Sequence, residues 1–185
     1  MIFFQIILVG LIFIIFIFGI IIGLLALASL GAIIICHVPY ASTPNIRVKK
    51  IINLLDLKPD QKFYDLGCGD GRFLIEANRF GAKAVGFEIS LHPYLLARIN
   101  ILQNHSQAKI IFKNFYEVDL SDADVVVCFL IDTVMAEVEN KLIKELKPGA
   151  QVACYGFNLP HWQAKKIYYL NPHNKKVGKL YLYTK

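Results

Sequence analysis

No charged side chain occurs before Arg47, and all 20 Lys+Arg and 14 Asp+Glu lie between Arg47 and Lys185. Within the run from Ile2 to Cys36, Gln5 and Ser29 are the only clearly polar side chains. A helix needs about 20 apolar residues to cross a ~30 Å hydrocarbon core. The run exceeds that, so one tilted span fits. No Pro, Asn or charge marks a turn between two spans. The lack of a basic n-region and the length of the apolar stretch argue against a cleaved secretory signal. Metal-ligand spacing is missing too. Cys36, Cys68, Cys128 and Cys154 form no CxxC pair and no Cys/His zinc pattern. Basic residues are scattered and no RNA- or DNA-binding motif is visible, so no nucleic-acid partner is expected.

What is present divides the chain. Residues 1–36 read as a transmembrane anchor, 37–58 as a linker with a pre-domain helix, and 59–185 as a folded domain. Arg47, Lys49 and Lys50 follow the span and no basic side chain precedes it, which places the domain on the cytoplasmic side of a single-pass membrane protein. Reduced thiols fit that compartment. The mitochondrial inner membrane is the alternative location, and the lack of an Arg-rich leader favours a bacterial one. Gly19 and Gly23 make a GxxxG that can pair two spans as a weak homodimer. The net charge of +6 suits a lipid bilayer with anionic headgroups.

Beyond the anchor, elements alternate. Thr43 is placed to cap a helix that has Pro44 at its first position, with Val48, Ile51, Ile52 and Leu55 on one face. KFYDLG reads as the first strand. The next helix begins near Asp70, carries Phe73, Leu74, Ala77 and Phe80 on one side, and stops at Gly81. AKAVGFE is a strand, and Ser90 to about Asn104 a helix. AKIIFKN and ADVVVCFL are further strands. A helix from about Thr133 to Leu146 turns Val134, Val138, Leu142 and Ile143 inward. AQVACYGF, AKKIYYL and KLYLYT are the last strands. This order predicts an α/β domain with a mostly parallel sheet. The first five strands are nearly continuous apolar runs, as in a sheet covered on both faces.

The stretch Asp65-Leu66-Gly67-Cys68-Gly69-Asp70-Gly71 sits at the carboxyl end of the first strand, where open parallel sheets bind ligands. Glycine permits positive φ and close backbone approach. A dinucleotide loop has the spacing GxGxxG and faces a pyrophosphate. Here the third glycine comes one residue early, and Asp65 and Asp70 would repel a pyrophosphate. The two carboxylates suit a cofactor carrying an ammonium and a sulfonium.

With Asp65 before the glycines and Glu88 ending VGFE, the sequence strongly resembles class I S-adenosylmethionine-dependent methyltransferases. The resemblance implies a Rossmann-like sheet of about seven strands, the last antiparallel, with S-adenosyl-L-methionine as cofactor. It implies that the loop Asp65, Gly67, Cys68, Gly69, Asp70 and Gly71 wraps the methionine part. Glu88 would bind the ribose hydroxyls. Asn114 and Phe115, after the third strand, would meet the adenine. The [DN]PP[YF] motif of adenine and glutamine amino-group methyltransferases is absent from CFLIDTVM.

PYASTPNIRVKKIINLLDL, DLGCGDGRFLIEAN, GFEISLHPYLLAR and DLSDADVVVCFLIDTVMAEVENKLIKELKPGAQVACYGFNLPHW narrow the resemblance. Across Pro39 to Trp162 the chain is similar to membrane-anchored mitochondrial and archaeal protein-lysine methyltransferases. These act on the ATP synthase c subunit and the ADP/ATP carrier, and have bacterial relatives. The entry YASTP and the ending FNLPHW depart from that family's wording and leave the acceptor open. The implied partner is a membrane or membrane-associated protein. Methyl transfer needs a neutral lysine amine aligned with the donor carbon. Tyr40, Tyr116, Phe157 and Trp162 are candidates for the walls of an aromatic acceptor channel, and Asp132 for a contact to the incoming amine. Ser42 and Thr43 either reach the cofactor or cap the helix, with capping preferred. Two other functions fit: a membrane-tethered methyltransferase of a lipid or quinone-like molecule, and a non-catalytic membrane assembly protein.

Overall fold

The computed structural model describes residues 2–36, 42–171 and 178–185. Ile2–Cys36 is one helix, α1. Its segment Ile7–Leu27 is long and apolar enough to cross a membrane, and none of it is buried against the rest of the chain. Beside Gly19 and Gly23 the space a Cβ would fill is open. Tyr40, an expected channel wall, lies outside the described residues.

The next helix, α2, spans Asn45–Leu55 and buries Val48, Ile51, Ile52 and Leu55. Each such side chain contributes about 1.5–3 kcal/mol by leaving water. They join the same core as Phe63, Leu74 and Val125, so α2 packs as part of the domain. The capping expectation fails. Pro44 itself is the N-cap and no side chain caps the helix. The Pro44 carbonyl accepts the Arg47 and Val48 N–H groups at 2.9 and 3.2 Å, while Thr43 is buried.

Strands β1 (Lys62–Leu66), β2 (Lys83–Glu88), β3 (Lys109–Phe112), β4 (Val125–Cys128), β5 (Gln151–Tyr155), β6 (Lys166–Tyr169) and β7 (Lys179–Thr184) form one sheet. Their order is β3-β2-β1-β4-β5-β7-β6. The pairs β1–β2, β1–β4, β2–β3 and β4–β5 are parallel. β7 runs antiparallel to both its neighbours. The last strand is thus the reversed one, as expected. The links from β3 to β4 and from β5 to β6 are too short for a parallel crossover, and the placement of the strands explains them. β3 and β4 are not neighbours, and β5 and β6 are separated by β7, so neither link is a crossover between paired strands.

Helices α3 (Arg72–Arg79), α4 (Leu91–Gln103) and α5 (Met135–Glu145) complete the domain. Side chains alternate along the strands. Phe63, Val125, Val127 and Ala153 join α2 and α3 in one core. Leu66, Val126, Cys128, Val152 and Cys154 join Val138 and Leu142 of α5 in the other. Three expectations change here. β3 is an edge strand, so Ile111 and Phe112 are exposed rather than covered. Phe80 ends α3 and is partly exposed, and Ile143 of α5 faces outward. The buried place on that helix goes to Glu139, a carboxylate with bonding partners of its own.

Candidate active site

The carboxyl ends of β1, β2 and β4 meet at one pocket. The chain leaves β1 through Gly67, Gly69 and Gly71, at φ of 74°, 56° and 78°. Residues with a Cβ rarely adopt that region, so the loop lies flat and bare. The Phe87 carbonyl of β2 accepts the N–H groups of Gly67 and Cys68, both at 3.0 Å. Gly86 of β2 was not singled out from the sequence. A Cβ there would stand 2.6 Å from both Cys68 Sγ and Leu74 Cδ1. Cys68 therefore lines the pocket while its sulfur packs on β2. Burial above all pushes its thiol well up, and the nearby Asp65 and Glu88 charges add to this.

Three carboxylates surround the loop, each in a different state. Asp65 is buried, lines the pocket, and its Oδ2 has no hydrogen-bond partner among the described residues. Burial first, then the charges of Glu88 and Asp70, push its carboxyl well above the usual carboxylate range. Glu88 is buried as well but satisfied. Its Oε2 accepts the Gly69 N–H at 3.0 Å, and its Oε1 accepts the Ile89 and Ser90 N–H groups at 2.9 and 2.8 Å. A carboxylate offers about four acceptor sites, so one remains for a ligand hydroxyl. Asp70 lines the pocket too, but it is not free. Arg72 grips it with a two-toothed bond, Nε to Oδ1 at 2.7 Å and Nη2 to Oδ2, so its charge is already met inside the chain. The Arg72 Nη1 also donates to the Thr43 carbonyl, which ties the entrance of α2 to the glycine loop.

On the other side, Asn114 and Phe115 line the pocket with Ile89, Ser90 and Lys113. The Asn114 Oδ1 accepts the Tyr116 N–H at 3.1 Å, which caps the short turn Phe115–Glu117. Ser42 and Thr43 also line the pocket, so of their two expected roles the structure favours the site. The acceptor candidates fare worse. Tyr116 and Trp162 pack against the second core, Trp162 on Tyr183 with ring centres 5.6 Å apart. Asp132 and Phe157 are exposed and do not line the pocket. In their place stand Phe129 and Leu130, which directly follow β4. Their position at the end of a central strand is a signal that the sequence carries, and it points to this pair ahead of Asp132. Away from the pocket, the Glu139 carboxylate accepts the His161 N–H at 3.0 and 3.2 Å, and Leu159 N–H donates to the Tyr183 hydroxyl at 2.9 Å. The loop after β5 is thereby pinned.

The residues fit S-adenosylmethionine. The orphaned, buried Asp65 oxygen calls for a cationic or N–H donor, and the flat glycine loop admits a ligand close to the backbone. No cluster of three or more metal-ligating side chains occurs among the described residues.

Comparison with known proteins agrees. Residues 65–166 match the model of the ANTKMT methyltransferase domain. The protein-lysine N-methyltransferase of Saccharolobus islandicus is 42% identical over 135 residues, covering 71% of this chain and 84% of that one. The adenine nucleotide translocase lysine N-methyltransferase of Mus musculus is 37% identical over 132 residues, covering 69% of this chain and 56% of its own length. A lysine N-methyltransferase of the ATP synthase c subunit, from Rattus norvegicus, is 31% identical over 128 residues, covering 67% of this chain and 58% of its own length. Among solved structures, an RNA methyltransferase from Salinibacter ruber in complex with S-adenosyl-L-homocysteine superposes with a TM-score of 0.72 at 29% identity. That match covers 78% of this chain and 93% of the other. With its sheet order, its glycine loop and this match over more than half its length, the chain belongs to the ANTKMT methyltransferase domain family, whose members are S-adenosylmethionine-dependent methyltransferases of the class I fold.

Proposed function

We propose that the protein is a membrane-tethered methyltransferase that transfers methyl groups to the ε-amine of a lysine in a membrane or membrane-associated protein. The observation that carries the acceptor class is the 42% identity to an archaeal protein-lysine N-methyltransferase along most of that enzyme. The tether rests on α1, whose apolar segment Ile7–Leu27 has the length of a span. Arg47, Lys49 and Lys50 after it favour a cytoplasmic domain.

S-adenosylmethionine, when bound, supplies a methyl group on a sulfonium, and the transfer is an in-line displacement. Asp65 would hold the ammonium. The backbone from Gly67 to Gly71 would lie along the methionine part. Glu88 would take the ribose hydroxyls, and Asn114 with Phe115 would face the adenine. The acceptor problem is one of charge. A lysine of pKa near 10.4 must arrive neutral. An apolar mouth disfavours the charged amine by desolvation, and Phe129 and Leu130 provide one. Thr43, fastened through Arg72, closes part of the opposite wall.

The test is to incubate the full chain, radiolabelled cofactor and detergent-solubilised membranes, and to separate protein, lipid and RNA. Label in protein supports the lysine enzyme. Label confined to the lipid extract moves the assignment to a lipid or quinone-like acceptor. Label in RNA transfers it to the acceptor class named for the Salinibacter ruber neighbour.

A further inference from the structure

A second surface stands out beside the cofactor pocket. Between Glu88 and Glu117 the sequence has no acidic residue, whereas Arg98, Lys109 and Lys113 fall within it. This stretch forms α4 and β3, which together make one edge of the domain. Leu95, Ile99 and Leu102 stand at i, i+4 and i+7 of α4, so they form one stripe along the helix. The stripe faces outward, with Ile99 50% and Leu102 76% exposed. Phe112 of β3, 51% exposed, continues it, its ring 5.1 Å from that of Tyr94. The three basic side chains are exposed beside these apolar ones. The outer side of β3 pairs with no strand among the described residues.

An exposed apolar stripe whose own segment carries cations and no carboxylate suits a surface lying at the headgroup layer of an anionic membrane. The apolar side chains enter the acyl boundary, and the cations stay at the phosphates. The position agrees with the chemistry. α1 touches the domain at α4, although none of its Ile7–Leu27 segment is buried. A span entering the bilayer would therefore bring α4 to the membrane surface first. We infer that the α4–β3 edge is the face on which the domain lies against an anionic bilayer. The inference rests on the reading of α1 as a span and adds the orientation of the domain. The pocket residues Ile89, Ser90, Lys113 and Asn114 flank or belong to this same stretch. The cofactor site is thus held close to the lipid surface, where an acceptor lysine just outside a membrane segment would be found. The opposite edge, β6, lies six strand spacings away, roughly 30 Å.

The test places a fluorescent label on the full chain in a Cys36→Ser background, leaving the three buried cysteines untouched. Single labels go at Leu102→Cys, at Ile167→Cys on β6, and at Phe16→Cys in α1. The protein is reconstituted in phosphatidylglycerol–phosphatidylcholine vesicles containing lipids with a shallow spin-label quencher, or with a deep one for Phe16. The expected result is that the labels at 102 and 16 lose most of their emission while that at 167 keeps it. Arg98→Glu with Lys109→Glu should reverse most of the loss at 102. Quenching at 16 without quenching at 102 overturns the face and leaves the span standing. A label at 102 shielded from both lipid and aqueous quenchers also overturns it, because a second copy or a protein partner then covers the edge. Lack of quenching at 16 removes the span and this inference with it. Methyl transfer to lysine, measured separately, is untouched by that outcome.

Discussion

The Glu88 Oε2 stands 3.0 Å from the Gly69 backbone nitrogen, so the carboxylate that ends β2 fastens the loop that ends β1. One residue therefore has two tasks: shaping the glycine loop and offering an acceptor to the cofactor. Glu88→Ala removes a charged acceptor from three N–H groups, and hydrogen bonds of that kind contribute about 1.5–3 kcal/mol each. Losing the equivalent of one in binding raises the cofactor Kd about 10- to 100-fold. Calorimetric titration with S-adenosylmethionine reads this directly. Glu88→Gln, which keeps one acceptor oxygen, should fall between the alanine variant and the wild type.

The pH dependence of stability should carry the mark of Asp65. Burial holds its folded-state value well above the usual carboxylate range. The unfolded chain ionises near pH 4, while the folded one keeps its proton to higher pH. The unfolded state then binds fewer protons, so stability falls as pH rises from about 4 through the folded-state value. Denaturant melts of the cofactor-free protein should show that fall, and Asp65→Asn should remove it. The ammonium of the cofactor would favour the ionised carboxylate. The affinity of the wild type for the cofactor should accordingly fall as pH is lowered through the folded-state value, and Asp65→Asn should lack that dependence. The same pH course of affinity in both proteins would contradict this role.

Arg72 is partly exposed, as is its partner Asp70, so its loss should cost less than that of a deeply buried ion pair. An effect of about 1–3 kcal/mol on cofactor binding is expected for Arg72→Ala. Limited proteolysis should report loosening near Thr43, because the same guanidinium holds its carbonyl. Arg72→Lys should recover little, since an ammonium cannot reproduce the fork on Asp70.

Glu139 offers a different separation. It touches neither the pocket nor the glycine loop, yet it holds the His161 backbone through both carboxylate oxygens. Glu139→Gln should leave the cofactor Kd unchanged and lower the folding stability by about 1–2 kcal/mol, because the loop after β5 loses part of its anchor. A weaker cofactor affinity at unchanged Tm would contradict that role.

Much of this was legible in the sequence for identifiable physical reasons. The glycine loop, Asp65 and Glu88 were readable because a parallel sheet puts its ligands at strand carboxyl ends, and the strands themselves were clear apolar runs. Val48, Ile51, Ile52 and Leu55 were readable from helical spacing alone. Partner-dependent features were not. Asp70 reads as a pocket carboxylate, and it lines the pocket, but its ion pair with Arg72, two residues on, left no signal. Ile143 looked like core until Glu139 proved to take the inward place. Tyr116 and Trp162 looked like channel walls, but aromatic residues near strand ends serve a core equally well, and here they do. Gly86 left no signal, because its reason is a sulfur packed from another strand's loop.

The most direct test is amino-acid analysis of acid hydrolysates after incubating the full chain and labelled S-adenosylmethionine with membranes. The expected result is label in methylated lysine with the wild type and little or none with Glu88→Ala of matched Tm. Label confined to lipid, to RNA or to amino acids other than lysine, from a wild type that binds the cofactor, would contradict the assignment of a protein-lysine acceptor.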